Sequence, residues 1–214
     1  MLFTILLYIH IAGGTIGLIC GTIAATFAKG KNTHRMNGKL FSGGMIAAAI
    51  SALIMSNMPG HGNVFIFAVG GFTFYMVTTG NRMVHLKKNY RKSAIDYSLM
   101  LFGIVFSFFL VYLGIKNLLL SNFFGIVPIV FASVCLVYIK SDIMLLTGKH
   151  RIKSIWMLNH ITRMMGALIA SYTAFIVVNI QVEMQWILWL APSVAGGLLI
   201  RHFIKKYVRV QKKA

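Results

Sequence analysis

Apolar residues fall in seven long runs, at about 2–28, 39–57, 63–84, 96–115, 122–146, 156–180 and 185–207. Each holds close to the ~20 apolar residues a membrane-crossing helix needs, and the connections between them are short. In lipid a helix satisfies its own backbone hydrogen bonds, so the pattern predicts an all-α fold, a polytopic transmembrane bundle of about seven spans. The second run, LFSGGMIAAAISALIMSNM, is short and rich in Ala and Gly; without it the count is six.

Composition agrees. Of 214 residues, 58% are hydrophobic and 11% charged, with mean hydropathy +0.79, against roughly 25% charge in a globular domain. A soluble fold is excluded. Seven spans occupy about 140 positions, so residues 1–214 read as a single integral membrane domain. The start, MLFTILLYIH, lacks the basic residues that open a cleavable signal, and the first run is read as a permanent span.

Twenty-one Lys and Arg face three acids, a net charge of +18, and their placement predicts an orientation. The first connection carries Lys29, Lys31, Arg35 and Lys39; the third Arg82, Lys87, Lys88, Arg91 and Lys92; the fifth Lys149, Arg151 and Lys153, with Lys140 just before it. The tail adds Arg201, Lys205, Lys206, Arg209, Lys212 and Lys213. The alternate connections hold only Lys116 and Glu183. Cytoplasmic loops collect Lys and Arg, which puts the N-terminus outside and the C-terminus inside a bacterial cytoplasmic (inner) membrane. The basic face would meet anionic lipid headgroups. Nucleic acid is not expected as a partner, since no aromatic platform or reading helix accompanies the charge; a homo-oligomer or a membrane protein partner stays open. Trp156, Trp186 and Trp189 fall at run ends, where interfacial anchors belong.

Small residues at helical spacing mark packing faces. They are Gly14, Gly17 and Gly21, with His10 on the same face of the first run, then Gly43, Ala47 and Ser51 in the second, and Gly166, Ala170 and Ala174 in the sixth. Those three spans are expected to form the tight centre. Pro192 with Gly196 and Gly197 predicts a kink in the last helix. Cys20 and Cys135 lie in apolar runs and read as small packing residues.

Candidate chemistry is confined to few residues. A charge at the bilayer centre costs about 2.5–3.5 kcal/mol on insertion scales, so each needs a partner or a purpose. Arg163 lies two turns inside the sixth span, with Asn159 one turn before it and His160 between. Asp142 and Asp96 mark the same side of the membrane and either could neutralise Arg163 or Arg82; Asp142 is the acid nearest Arg163 in depth and the expected partner, with Asp96 next. The candidate ligand-binding set is therefore His160, Arg163, Asn159, Asp142 and His10. Intramembrane histidines also raise haem b as a cofactor. Helix rise separates His10 and His160 by about 12 Å in depth, too far for one iron, so a loop histidine (His61, His34, His85 or His150) would have to serve. No nucleophile motif, phosphate loop, HExxH or CxxC occurs, which leaves a hydrolase without residues and predicts no metal site.

The segments YIHIAGGTIGLICG, THRMNGKLFSGGM and NHITRMMGALIASYTAFIVVN resemble a bacterial family of small multi-pass integral membrane proteins, a domain of unknown function. Its pattern of an early His with glycines, an HRxxGKxF-like segment, and a later His and Arg one turn apart matches His10, Gly13 and Gly14, then His34, Arg35, Gly38, Lys39 and Phe41, then His160 and Arg163. The resemblance implies no reaction. Three functions are compatible with these residues: binding or transport of a small molecule, with an anionic group suited to Arg163; haem binding or redox chemistry; and a non-catalytic assembly or scaffold role. The orientation has its own test: reporter fusions are expected to place residues 32, 88 and 151 inside and residue 61 outside. An external C-terminus would contradict it.

Overall fold

The structure is a computed structural model describing residues 1–86, 93–149 and 154–208. Lys87, Lys88, Arg91, Lys92, His150, Arg151, Lys153, Arg209, Lys212 and Lys213 lie outside the described residues. Among the described residues seven helices follow in order: α1 Leu2–Thr26, α2 Asn32–Met55, α3 Val64–Leu86, α4 Ala94–Leu119, α5 Ile126–Leu146 preceded by a 3-10 turn Phe123–Gly125, α6 Ile155–Asn179 and α7 Gln185–Tyr207. All seven are long and apolar enough to cross a membrane, including the Gly- and Ala-rich second. That helix begins at Asn32 rather than near residue 39. Its first two turns are polar, and hydropathy alone does not register them. The α1–α2 connection is correspondingly tight, turning through Gly30 at φ +80°, a left-handed conformation that favours glycine.

α1 and α2 pack backbone to backbone. A methyl group on Gly13 would meet the Gly44 carbonyl oxygen at 2.6 Å, and one on Gly44 would meet the Gly13 oxygen at 2.6 Å. Gly17 lies against Met45, and Gly21 against Phe41 and Leu168. The contact stripe is therefore Gly13, Gly17 and Gly21, not the expected Gly14 stripe, and on α2 it is Gly44 rather than Gly43; Gly14 and Gly43 face open space. Adjacent residues on a helix point about 100° apart, and small-residue spacing alone did not separate the two faces.

The expected centre is also corrected. α3 is the pillar: Tyr75, Met76 and Val77 are fully buried, Gly70 lies against the Ala49 carbonyl of α2, and Gly80 against the Cβ of Arg163 on α6. α1 is peripheral, exposing Ile5, Tyr8, Ile9, Ile16 and Ile19. Gly166 does pack inward, near the Tyr138 hydroxyl and Met76. Around α3, Phe72 stacks on Phe131, and Phe102 on Phe106. Trp189 turns its edge into Phe65, Phe124 and Phe131, so it is part of an internal aromatic layer as well as a helix end. The helix α7 continues through Pro192, and Cys135 is buried while Cys20 is half-buried.

At the basic end α1 is closed by its neighbours. Lys29 Nζ donates to the Ala24 and Ala25 carbonyls, His34 Nδ1 donates to Ala24, and the Lys29 ammonium sits over the Phe203 ring. Burial, then the nearby Lys206, holds that ammonium below its ordinary pKa.

The Gly13–Gly44 contact has a direct check. Gly13→Ala should destabilise by about 1–3 kcal/mol, the usual cost of overpacking, because a backbone carbonyl cannot swing aside. Gly14→Ala should be neutral or slightly stabilising by helix propensity. Unfolding midpoints in detergent separate the two; equal behaviour would contradict the close approach.

Candidate functional site

Arg163 and Asp142 meet between α5 and α6. Asp142 stands four residues before the end of α5 and Arg163 eight after the start of α6, so the antiparallel neighbours bring them to similar depth. Arg163 Nη2 donates to Asp142 Oδ1 at 2.6 Å and to the Tyr138 carbonyl at 3.0 Å. Its charged end lies 5.2 Å from the Tyr138 ring centroid, a cation–π contact. Tyr75, from α3, donates to the other carboxylate oxygen, Asp142 Oδ2, at 3.2 Å. The Arg163 side chain is 0% exposed. A guanidinium so placed needs all of its N–H groups satisfied, yet Nε and Nη1 find no acceptor among the described residues.

Asn159 lies one turn before Arg163. Its Oδ1 accepts from Ser141 at 2.6 Å, and its Nδ2 is a third buried donor without a partner. Every unmet requirement on α6 here is for an acceptor.

A second ion pair stands nearer the basic end. Arg82 from α3 forks onto Asp96 of α4, Nε to Oδ1 at 2.7 Å and Nη2 to Oδ2 at 3.1 Å, the bidentate geometry that strengthens such pairs. Asp96 also accepts from the Ser93 backbone N–H at 2.9 Å and from its hydroxyl at 3.1 Å. In the first turn of α4 its charge also suits the helix dipole. Between the two pairs lies a cavity of about 20 Å³, lined by Arg163 and Asp142 at one side, Arg82 and Asp96 at the other, with Thr79, Met83, Leu86, Leu99, Leu145 and Leu146 around them. That is enough for about one water-sized occupant. Arg82 keeps 24% of its side chain exposed, so the cavity is nearest to solvent at the basic end. Tyr75 is flanked by aromatic rings: Phe102 lies 6.4 Å from it between ring centroids, and Phe72, one turn along α3, stacks on Phe131.

Of the five predicted site residues, the structure brings Arg163 and Asp142 together at the cavity; Asn159 stands one turn away, bonded to Ser141 and not lining the cavity, and the two histidines lie elsewhere. His160, on α6, donates from Nδ1 to the Gly80 carbonyl at 3.0 Å and does not line the cavity. His10 donates from Nδ1 to the Ala48 carbonyl of α2 at 2.8 Å, towards the opposite end of the bundle. A carbonyl oxygen only accepts, so Nδ1 of each ring carries a proton. Among the described residues no group of three or more His, Cys, Asp or Glu is placed to hold a metal. Sequence reasoning passed over Tyr75, Tyr138, Ser141 and Ser93. Ser93-x-x-Asp96 has the form of a helix-capping pair and was the signal available; nothing local marks the two tyrosines.

No protein-family model, curated protein or solved structure matches this chain.

The geometry makes the Arg163–Asp142 pair directly measurable. Arg163→Ala strands a buried carboxylate and should destabilise by about 3–5 kcal/mol, and adding Asp142→Ala should recover much of that. Tyr75→Phe should cost about 1 kcal/mol through its lost hydrogen bond. A double-mutant cycle on unfolding in detergent checks this; zero coupling between the two positions would contradict the pair.

Proposed function

We propose that this is a bacterial inner-membrane protein, N-terminus outside and C-terminus inside, that binds a small anion in the cavity beside Arg163 from the cytoplasmic side. The carrying observation is the guanidinium itself: fully buried, with Nε and Nη1 unpartnered. Unmet donors in a desolvated site cost about 1–3 kcal/mol each, and an anion supplies the acceptor they lack. Cavity size limits the occupant to something water-sized, so a halide is the fitting class and larger organic anions are not. Binding is favoured over free transport because the buried charged groups, Arg163, Asp142 and Asp96, share the basic end of the bundle, with the stacked pairs Phe72–Phe131 and Phe102–Phe106 farther along α3 and α4; passage would require that layer to open.

Haem b is less well supported. His10 bonds Ala48 and His160 bonds Gly80, positions on antiparallel helices that helix rise separates by roughly 15 Å in depth, whereas two axial nitrogens on one iron stand about 4 Å apart.

Melting of the detergent-purified protein, titrated with chloride or bromide against gluconate at constant ionic strength, tests the reading. Halide should give a saturable stabilisation, about 2.7 kcal/mol at a hundred times Kd. The charge-neutral double variant Arg163→Gln/Asp142→Asn should melt alike in all three salts. Identical melting of the wild type in halide and gluconate would overturn the proposal.

A further inference from the structure

The charges around the cavity add up to a constraint on what can bind there. Arg163 is matched by Asp142, and Arg82 by Asp96, so the site is neutral before any ligand arrives. An anion added to it would leave one uncompensated negative charge among Met83, Leu86, Leu99, Leu145 and Leu146, an arrangement whose desolvation cost is prohibitive. We infer that the anion enters together with one proton, which is taken by the Asp142 carboxylate, so that the ligand of this site is an acid in the form of its anion and its proton. This rests on the anion-binding reading above.

The bookkeeping of bonds is simple. A proton from solvent forms an O–H bond on one Asp142 oxygen, the carboxyl becomes neutral, and the Arg163 charge passes from Asp142 to the anion held at its free N–H groups. Net charge in the cavity is unchanged. The local hydrogen bonding can follow, because Tyr75 donates to Asp142 Oδ2 at 3.2 Å and a hydroxyl can turn from donor to acceptor when the carboxyl gains its proton. Asp96 is the worse proton acceptor by geometry: it receives two nitrogens of Arg82 and two bonds from Ser93, whereas Asp142 has one guanidinium nitrogen and one hydroxyl.

The titratable and charged groups that bear on Asp142 are Tyr75 and Arg82 of α3, Asp96 of α4, Arg163 of α6, and Tyr138 and Cys135 on its own helix. No residue of α7 lines the cavity. His34 and His160 lie outside the cavity, and a variant at Asp142 leaves both in place.

Calorimetric titration of the full-length protein with bromide, in two buffers of different ionisation enthalpy between about pH 6 and 8, counts the protons directly. The expected result is one proton taken up per bromide and an affinity that rises about tenfold for each unit fall in pH. In Asp142→Asn, whose amide carries no charge, uptake should be zero and affinity independent of pH. Bromide binding with no proton uptake in the wild type would overturn this inference and leave the anion reading standing; uptake that persists in Asp142→Asn would overturn the assignment to Asp142. No bromide binding at any pH would overturn both.

Discussion

A guanidinium held out of water in the middle of a helical bundle is the constraint around which this protein is organised. Arg163 can be buried only because Asp142 reaches it from α5, Tyr138 offers both a carbonyl and a ring face, and Tyr75 secures the far oxygen of the carboxylate. Each of these groups comes from a helix that must sit close to α6. The glycines set that closeness: Gly80 lets α3 lie against the Arg163 stem, Gly103 leaves room for the Tyr75 ring, and Gly166 leaves room for the Tyr138 hydroxyl. The polar centre and the small-residue packing are one design seen from two sides.

The two ion pairs differ in what they leave over. Arg82 and Asp96 satisfy each other bidentately and add a helix cap, so that pair ties α3 to α4 and has the character of a structural clamp. Arg163 and Asp142 meet through a single guanidinium nitrogen and leave donors spare. Buried ion pairs are poor sources of net stability, and intramembrane ionisable groups mark function by default; the incomplete pair is where that reasoning applies. Because both pairs border one cavity, the clamp also forms the mouth of the site.

Much of the architecture was legible in the sequence, because runs of about 20 apolar residues have few physical alternatives. Arg163 and Asp142 stood out for the same reason: charge inside an apolar run is costly enough to be informative. Asp142 stood out as the partner of Arg163 because it is the acid nearest to it in depth, with Asp96 the next candidate, and the structure pairs Arg163 with Asp142. The glycine stripe was misplaced by one residue, Gly14 for Gly13, because both spacings fit a helical period. α3 went unrecognised as the pillar, since its role depends on neighbours and not on its own composition. Tyr75 and Tyr138 were hidden because an aromatic in a membrane span is ordinary until its hydroxyl finds a carboxylate or a carbonyl.

The proposed seat of the anion is the pair of unpartnered nitrogens of Arg163, Nε and Nη1. Anomalous diffraction from crystals grown in bromide at mildly acid pH tests it without any variant. A bromide peak is expected within hydrogen-bond distance of Arg163 Nε or Nη1, in the cavity shared with Asp142. An ordered water bonded to those nitrogens, with no anomalous signal there, would contradict it.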